Sequence, residues 1–374
     1  MRHTISTTIL SALTLLAGSC SQAGSSHVGP VGGDTLTRQA EVLTMIDRGT
    51  YVQADVADPW HEGRLLARYA LVHRDSMMPD NLPEGATAVR VPLERSVVYA
   101  TIHTGAIAEL GAIDRIAAVA DGEWLTDSDP ARRLLDEGRI TNIGSSTAPL
   151  IETVIDLQPD AILLSPYESM SRGGIETAGA KLIEMADYME LSPTGRAEWI
   201  LLLGYLYGRE ERAREIYNSV TDRYEALRAA VAGVAKRPQV LTERLTSGVW
   251  YVPGGQSYMA RLITDAGGDY LWADRTETGS IPLDEAAVID RAADADIWLV
   301  KDAKDISRDV IAADVPHADA IKAWRDGLWT CNSLATPFYN DLAFHPERVL
   351  AEYIGIFHPD TPGVSTGRYF KKLK

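Results

Sequence analysis

The sequence predicts an α/β protein of two three-layer lobes bridged by one long, rigid α-helix, with a small β extension at the N-terminal end. Three observations carry this. Short apolar runs suited to buried strands alternate with helical segments along most of the chain, the signature of parallel sheets. The stretch from Arg196 to Lys236 contains no proline and is rich in helix formers. Its apolar residues Ile216, Val220, Tyr224 and Leu227 fall at helical spacing. A faint echo flanks it: Val154-Ile155-Asp156 precedes Ile162-Leu163-Leu164, and Val288-Ile289-Asp290 precedes Ile297-Trp298-Leu299-Val300. In each copy a helix feeds a central strand, once on either side of the long helix. The expected divisions are 34–208 for the first lobe with its extension, 209–236 for the linker helix and 237–374 for the second lobe.

From the N-terminus, residues 1–20 open with Met1-Arg2-His3, continue in an apolar run from Ile9 to Ala17 and end in Gly18-Ser19-Cys20. A positive start, a short apolar core and small residues before a cleavage point form a secretory signal, and the run is too short to span a bilayer. The whole resembles a bacterial lipoprotein signal, in which the cysteine becomes the lipidated N-terminus. Residues 21–33 are Ser/Gly-rich and read as a flexible leash. Tyr51–Val56 and Leu65–Val72 are predicted strands of the extension. The first lobe follows, with strands at Ser96–Ala100, Ile116–Val119 and Ala161–Leu164 and helices at Thr104–Leu110 and Pro149–Leu157. Gly204 and Gly208 predict a helix break, and Pro238 a stop after a helix over about 209–234. In the second lobe, Gln239–Thr242 and Ile297–Val300 are predicted strands, and 258–266 and 282–293 predicted helices.

Composition narrows the function. The chain of 374 residues is 45% apolar and 24% charged, ordinary for a globular protein. Its formal net charge of −16 argues against a nucleic-acid partner. With Cys20 lipidated, Cys331 has no disulfide partner and is read as a small buried residue. Catalytic motifs are missing: there is no Gly-x-Gly-x-x-Gly, P-loop, Gly-x-Ser-x-Gly or Cys-x-x-Cys. His61-Glu62 begins like a zincin helix, but Leu65 stands where the second histidine belongs. The catalytic vocabulary is therefore thin, and the eight histidines show no metal-ligand spacing.

Several segments, in order, resemble the iron-chelate and cobalamin type of substrate-binding protein that serves ABC importers. They are Ser96–Thr104 with Leu110–Val119, the run Ile151-Glu152-Thr153-Val154-Ile155-Asp156-Leu157-Gln158-Pro159-Asp160-Ala161-Ile162, then Val252–Ser257 and Leu262–Gly268. The resemblance implies two lobes closing on a ferric siderophore, haem or cobalamin, and a monomer that delivers its ligand to an ABC permease; such proteins bind and hand over, so the expectation is of no enzyme activity, catalytic residue, cofactor or resident metal. It implies docking through one acidic residue per lobe. Glu152 matches the first position, while Gln256 stands at the second, where the amide departs from the pattern. Loops after the strand ends supply the cleft residues in such proteins. Here these select His103 and Thr104 (within Thr101–Thr104), Trp124, Tyr167 and Arg172 in the first lobe, and Glu243, Arg244, Trp250 and Tyr251 in the second. Arg196 is added at the start of its helix. Aromatic rings would stack on a macrocycle, and arginines would fork onto ligand carboxylates. The expected location is the periplasm or cell surface, lipid-anchored to a bacterial membrane. An exported lipoprotein hydrolase, or a scavenging lipoprotein without a permease, remains compatible with the same residues.

Overall fold

The computed structural model describes residues 33–170 and 174–374. Residues 1–20, most of the leash and Arg172 lie outside the described residues. The chain opens with a five-stranded sheet in sequential order: Asp34–Thr35, Leu43–Asp47, Val52–Ala57, Leu65–His73 and Thr87–Val91. The first four strands pair antiparallel and the last joins parallel. Two of these strands match the predicted pair. The other three go beyond the predicted pair, and Asp34–Thr35 is only two residues long.

This extension is fastened to the first lobe by buried carboxylates. The backbone N–H groups of Arg38, Gln39 and Ala40 donate to Glu198 at 2.7–3.0 Å. Those of Glu41 and Val42 donate to Glu190, which also accepts from Trp199 Nε1. Both acids are buried. The segment is pinned by peptide groups that would otherwise lack partners.

Behind it lies a five-stranded parallel sheet ordered Lys181–Glu184, Ala161–Leu164, Ser96–Val98, Ile116–Val119, Thr141–Asn142. Alternate residues face opposite sides. Val98, Leu163 and Ile183 enter one apolar cluster with the helix Ile102–Glu109. Val97, Ile162 and Leu164 enter another with Val154 of the helix Ile151–Leu157. Both faces are covered, giving the expected three layers. The second lobe repeats the plan with Asp269–Tyr270, Gln239–Thr242, Ile297–Asp302 and Leu328–Asn332 in parallel, closed by an antiparallel edge strand, Phe370–Lys372. A three-stranded antiparallel sheet of Leu245–Thr246, Val249–Pro253 and Ser280–Leu283 is added to it. That last strand occupies the start of the stretch expected to be helical. The helix begins only at Glu285, where the Asp284 carboxylate accepts from the Ala287 N–H and caps it.

Between the lobes runs the helix Glu210–Val231, 22 residues and roughly 33 Å long. Ala213, Ile216, Tyr217 and Val220 pack in the first lobe's core, and Tyr224 and Val231 in the second's. It stops short of Pro238, its final turn giving way at Ala232-Gly233. The preceding helix, Ile200–Tyr207, ends at Gly208 in the left-handed region (φ 63°). Gly204 is no break: a Cβ there would lie 2.5 Å from the Ala213 Cβ, so its role is close helix contact. Near the C-terminus the helices Phe338–Phe344 and Pro346–Phe357 cross back, with Ala343 and Phe344 in the first core and Leu342 and Val349 in the second. Among the described residues no helix is long and apolar enough to cross a membrane.

Candidate functional site

Parallel strands deliver their following loops to one side of a sheet, and here the two sheets bring those loops together. Thr101 and Ile102 follow the strand Ser96–Val98. Trp124 and Thr126 follow Ile116–Val119, Glu243 and Arg244 follow Gln239–Thr242, and Lys301 and Asp302 end the strand Ile297–Asp302. Together they wall a cavity of about 840 Å³ between the lobes.

The first lobe's wall carries no charged side chain among the described lining residues. Trp124, 53% exposed, projects from a single 3-10 turn, and Tyr188 stands beside Met189. The Tyr188 hydroxyl donates to the Pro166 carbonyl at 2.6 Å, and burial pushes it up to about 12, so it stays neutral.

The second lobe's wall carries aromatic and charged groups. Tyr251 and Tyr339 are half-exposed, and Tyr258 lies at the start of the helix Tyr258–Asp265. Lys301 is almost wholly buried and its ammonium donates to Glu243. Burial alone would favour the neutral amine, but the Glu243 carboxylate outweighs it and holds Lys301 charged, well above the usual lysine range. Glu243 adopts a left-handed backbone (φ 64°), strained for a residue with a side chain. Arg244 donates one terminal nitrogen to Asp302 at 2.5 Å and the other to Asp314.

Of the residues selected from sequence, Thr101 and Ile102 (of Thr101–Thr104), Trp124, Glu243, Arg244 and Tyr251 line this cavity. Four others are corrected. His103 is fully buried, donating from Nε2 to Asp187 Oδ1 (2.9 Å) with its ring edge against Phe344. Thr104 is equally buried, its hydroxyl on Asp129 at 2.7 Å. Arg196 is buried behind the wall: its Nε donates to Asp187 Oδ2 (3.0 Å) and its guanidinium lies 4.9 Å from the Tyr258 ring centre. Trp250 is fully buried and stacks on Trp298. Tyr167 is exposed but does not line the cavity. Glu152 and Gln256 are exposed, each at the beginning of a helix, one per lobe. Cys331 is buried, as expected, and burial raises its thiol to about 11. Sequence reasoning missed Tyr188, Tyr258, Lys301 and Tyr339. Lys301 was open to the strand-end rule that selected Glu243. Among the described residues no group of three or more His, Cys, Asp or Glu side chains could hold a metal ion.

Residues 97–327, more than half the chain, match the family model described as periplasmic binding protein. An uncharacterized lipoprotein of Methanocaldococcus jannaschii is 24% identical over 78% of this chain and 73% of its own length. Among solved structures, a periplasmic heme binding protein from Pseudomonas aeruginosa superposes with a TM-score of 0.60 at 17% identity, over 75% of this chain and 98% of that one. A protein of an ABC-type Fe3+-hydroxamate transport system from Saccharomonospora viridis gives a TM-score of 0.53 at 23% identity, over 71% and 94%. Both share the fold described above.

Proposed function

The chain belongs to the periplasmic binding protein family, and we propose that it captures a metal chelate (a ferric siderophore, haem or cobalamin) between its lobes and delivers it to an ABC importer. It is a binding protein and not an enzyme. The observation that supports this ligand class is the inter-lobe cavity of about 840 Å³, with Trp124 and Tyr188 on one wall and Tyr251 and Tyr339 on the other. Its size suits one large organic ligand, and rings on both walls suit a ligand with broad apolar faces.

A thermal-shift panel of cobalamins, haemin and ferric siderophores tests the reading. A ligand at 100 times its Kd adds about 2.7 kcal/mol of stability. If none of them raises the melting temperature, the ligand class is wrong. For a true ligand, Trp124→Ala or Tyr251→Ala should weaken binding about tenfold.

Delivery and anchoring belong to the same proposal. Glu152 and Gln256 mark the faces offered to the permease, so Glu152→Arg should reduce uptake by cells while leaving the Kd of the purified protein unchanged. The signal ending at Cys20, and a relative named as a lipoprotein, support lipid attachment outside the cytoplasm. Fatty-acid labelling of the expressed protein should vanish in Cys20→Ser.

A further inference from the structure

We propose that the occupant of the cleft is an uncharged metal chelate or macrocycle, held by aromatic faces and neutral hydroxyls rather than by salt bridges to its own acidic groups. This rests on the reading of the cleft as a chelate site. It goes beyond that reading by choosing among chelates of very different charge.

The reason is that the cations among the described residues of the wall are already engaged. Among the described lining residues the charged nitrogens belong to Arg244 and Lys301. Both terminal nitrogens of Arg244 are taken, by Asp302 and Asp314, and the Lys301 ammonium is taken by Glu243. With Asp314 included, the wall holds more carboxylates than cations. Among the described residues, the facing wall adds aromatic, apolar and hydroxyl groups but no compensating positive charge. Arg196, which sequence reasoning assigned to ligand carboxylates, is buried and committed to Asp187. An anionic ligand would have to break a partly buried ion pair or sit beside its carboxylate, and either costs affinity. The chain's net charge of −16 works against it in the same sense. An uncharged ligand meets none of these penalties. Thr126, Thr246, Thr278, Ser280 and Ser333 line the cavity as neutral hydrogen-bonding partners for its rim.

The test measures Kd by tryptophan fluorescence for four probes: cyanocobalamin and the ferric complex of a cyclic trihydroxamate, both uncharged, and haemin and a ferric tricatecholate, both anionic. The expected result is that at least one uncharged probe binds roughly 100-fold tighter than either anionic one, with little dependence on salt. Glu243→Gln, which releases Lys301, and Asp302→Asn, which frees one terminal nitrogen of Arg244 while Asp314 keeps the other, should strengthen binding of the tricatecholate. An anionic probe that binds as tightly as the uncharged ones overturns the charge inference and leaves chelate binding standing. If no probe binds, the chelate reading fails and the inference falls with it.

Discussion

Arg196 and Asp187 show how one buried pair settles a residue's role. Asp187 has its carboxyl held below the usual range: burial would raise it, but His103 and Arg196 on either side more than compensate. Removing one member of such a pair strands the other, which costs about 3–5 kcal/mol. Arg196→Ala should therefore lower the free energy of unfolding in denaturant by that amount, a loss far larger than trimming a cleft residue would cause. The sequence held the arginine and the helix start, but not the buried aspartate nine positions earlier that claims the side chain. Trp250 teaches a related lesson. In the strand Val249–Pro253 alternate side chains face opposite ways, so Trp250 and Tyr251 could not both reach the cleft. The alternation is present in Val249-Trp250-Tyr251-Val252, and its pairing with Ser280–Leu283 shows it to be a strand.

Helices and strands were more legible than side-chain roles, because periodicity records burial directly. The buried strands Ala161–Leu164 and Ile297–Asp302 and the long helix were all visible as patterns. Two-residue strands carry no period and were lost, and the strand Ser280–Leu283 was absorbed into the helix that follows. How elements are joined is less visible still. The helix Ile102–Glu109 is tied to the C-terminal helices by His345, which donates to Glu109 at 2.6 Å and to Glu347 at 3.2 Å. Burial disfavours the imidazolium, yet the two carboxylates win and raise His345 from 6.5 to about 9. A raised pKa stabilises the fold fully below the unfolded value of 6.5, and the contribution disappears as pH climbs through about 9. Glu109 is lowered, chiefly by the hydrogen bond from His345, so its share is present above its ordinary value and lost on acidification. Stability should therefore fall by about 2–3 kcal/mol between pH 6.5 and pH 10. Chemical denaturation across that range checks it, and His345→Gln should flatten the profile.

At the scale of the whole molecule, the lobes are connected at more than one place. The helix Glu210–Val231 is rooted in both cores, the C-terminal helices cross between them, and Arg196 of one lobe rests on Tyr258 of the other. Closure on a ligand must then be small, and the radius of gyration from solution scattering should change by less than about 1 Å on saturation. A large compaction would contradict the rigid bridge. The two-lobe plan could be read from the sequence because it repeats. The extension's attachment could not, because Glu190 and Glu198 lie some 150 positions from the peptide groups they hold. That attachment bears on how the chain may be cut. The family match begins at residue 97, yet a version shortened to begin there would lose the peptides that fill both carboxylates and the sheet that carries Tyr69 and Val89 into the first lobe's core. The stretch before residue 97 is thus a part of the first lobe's foundation, and the border of sequence likeness is not a border of folding.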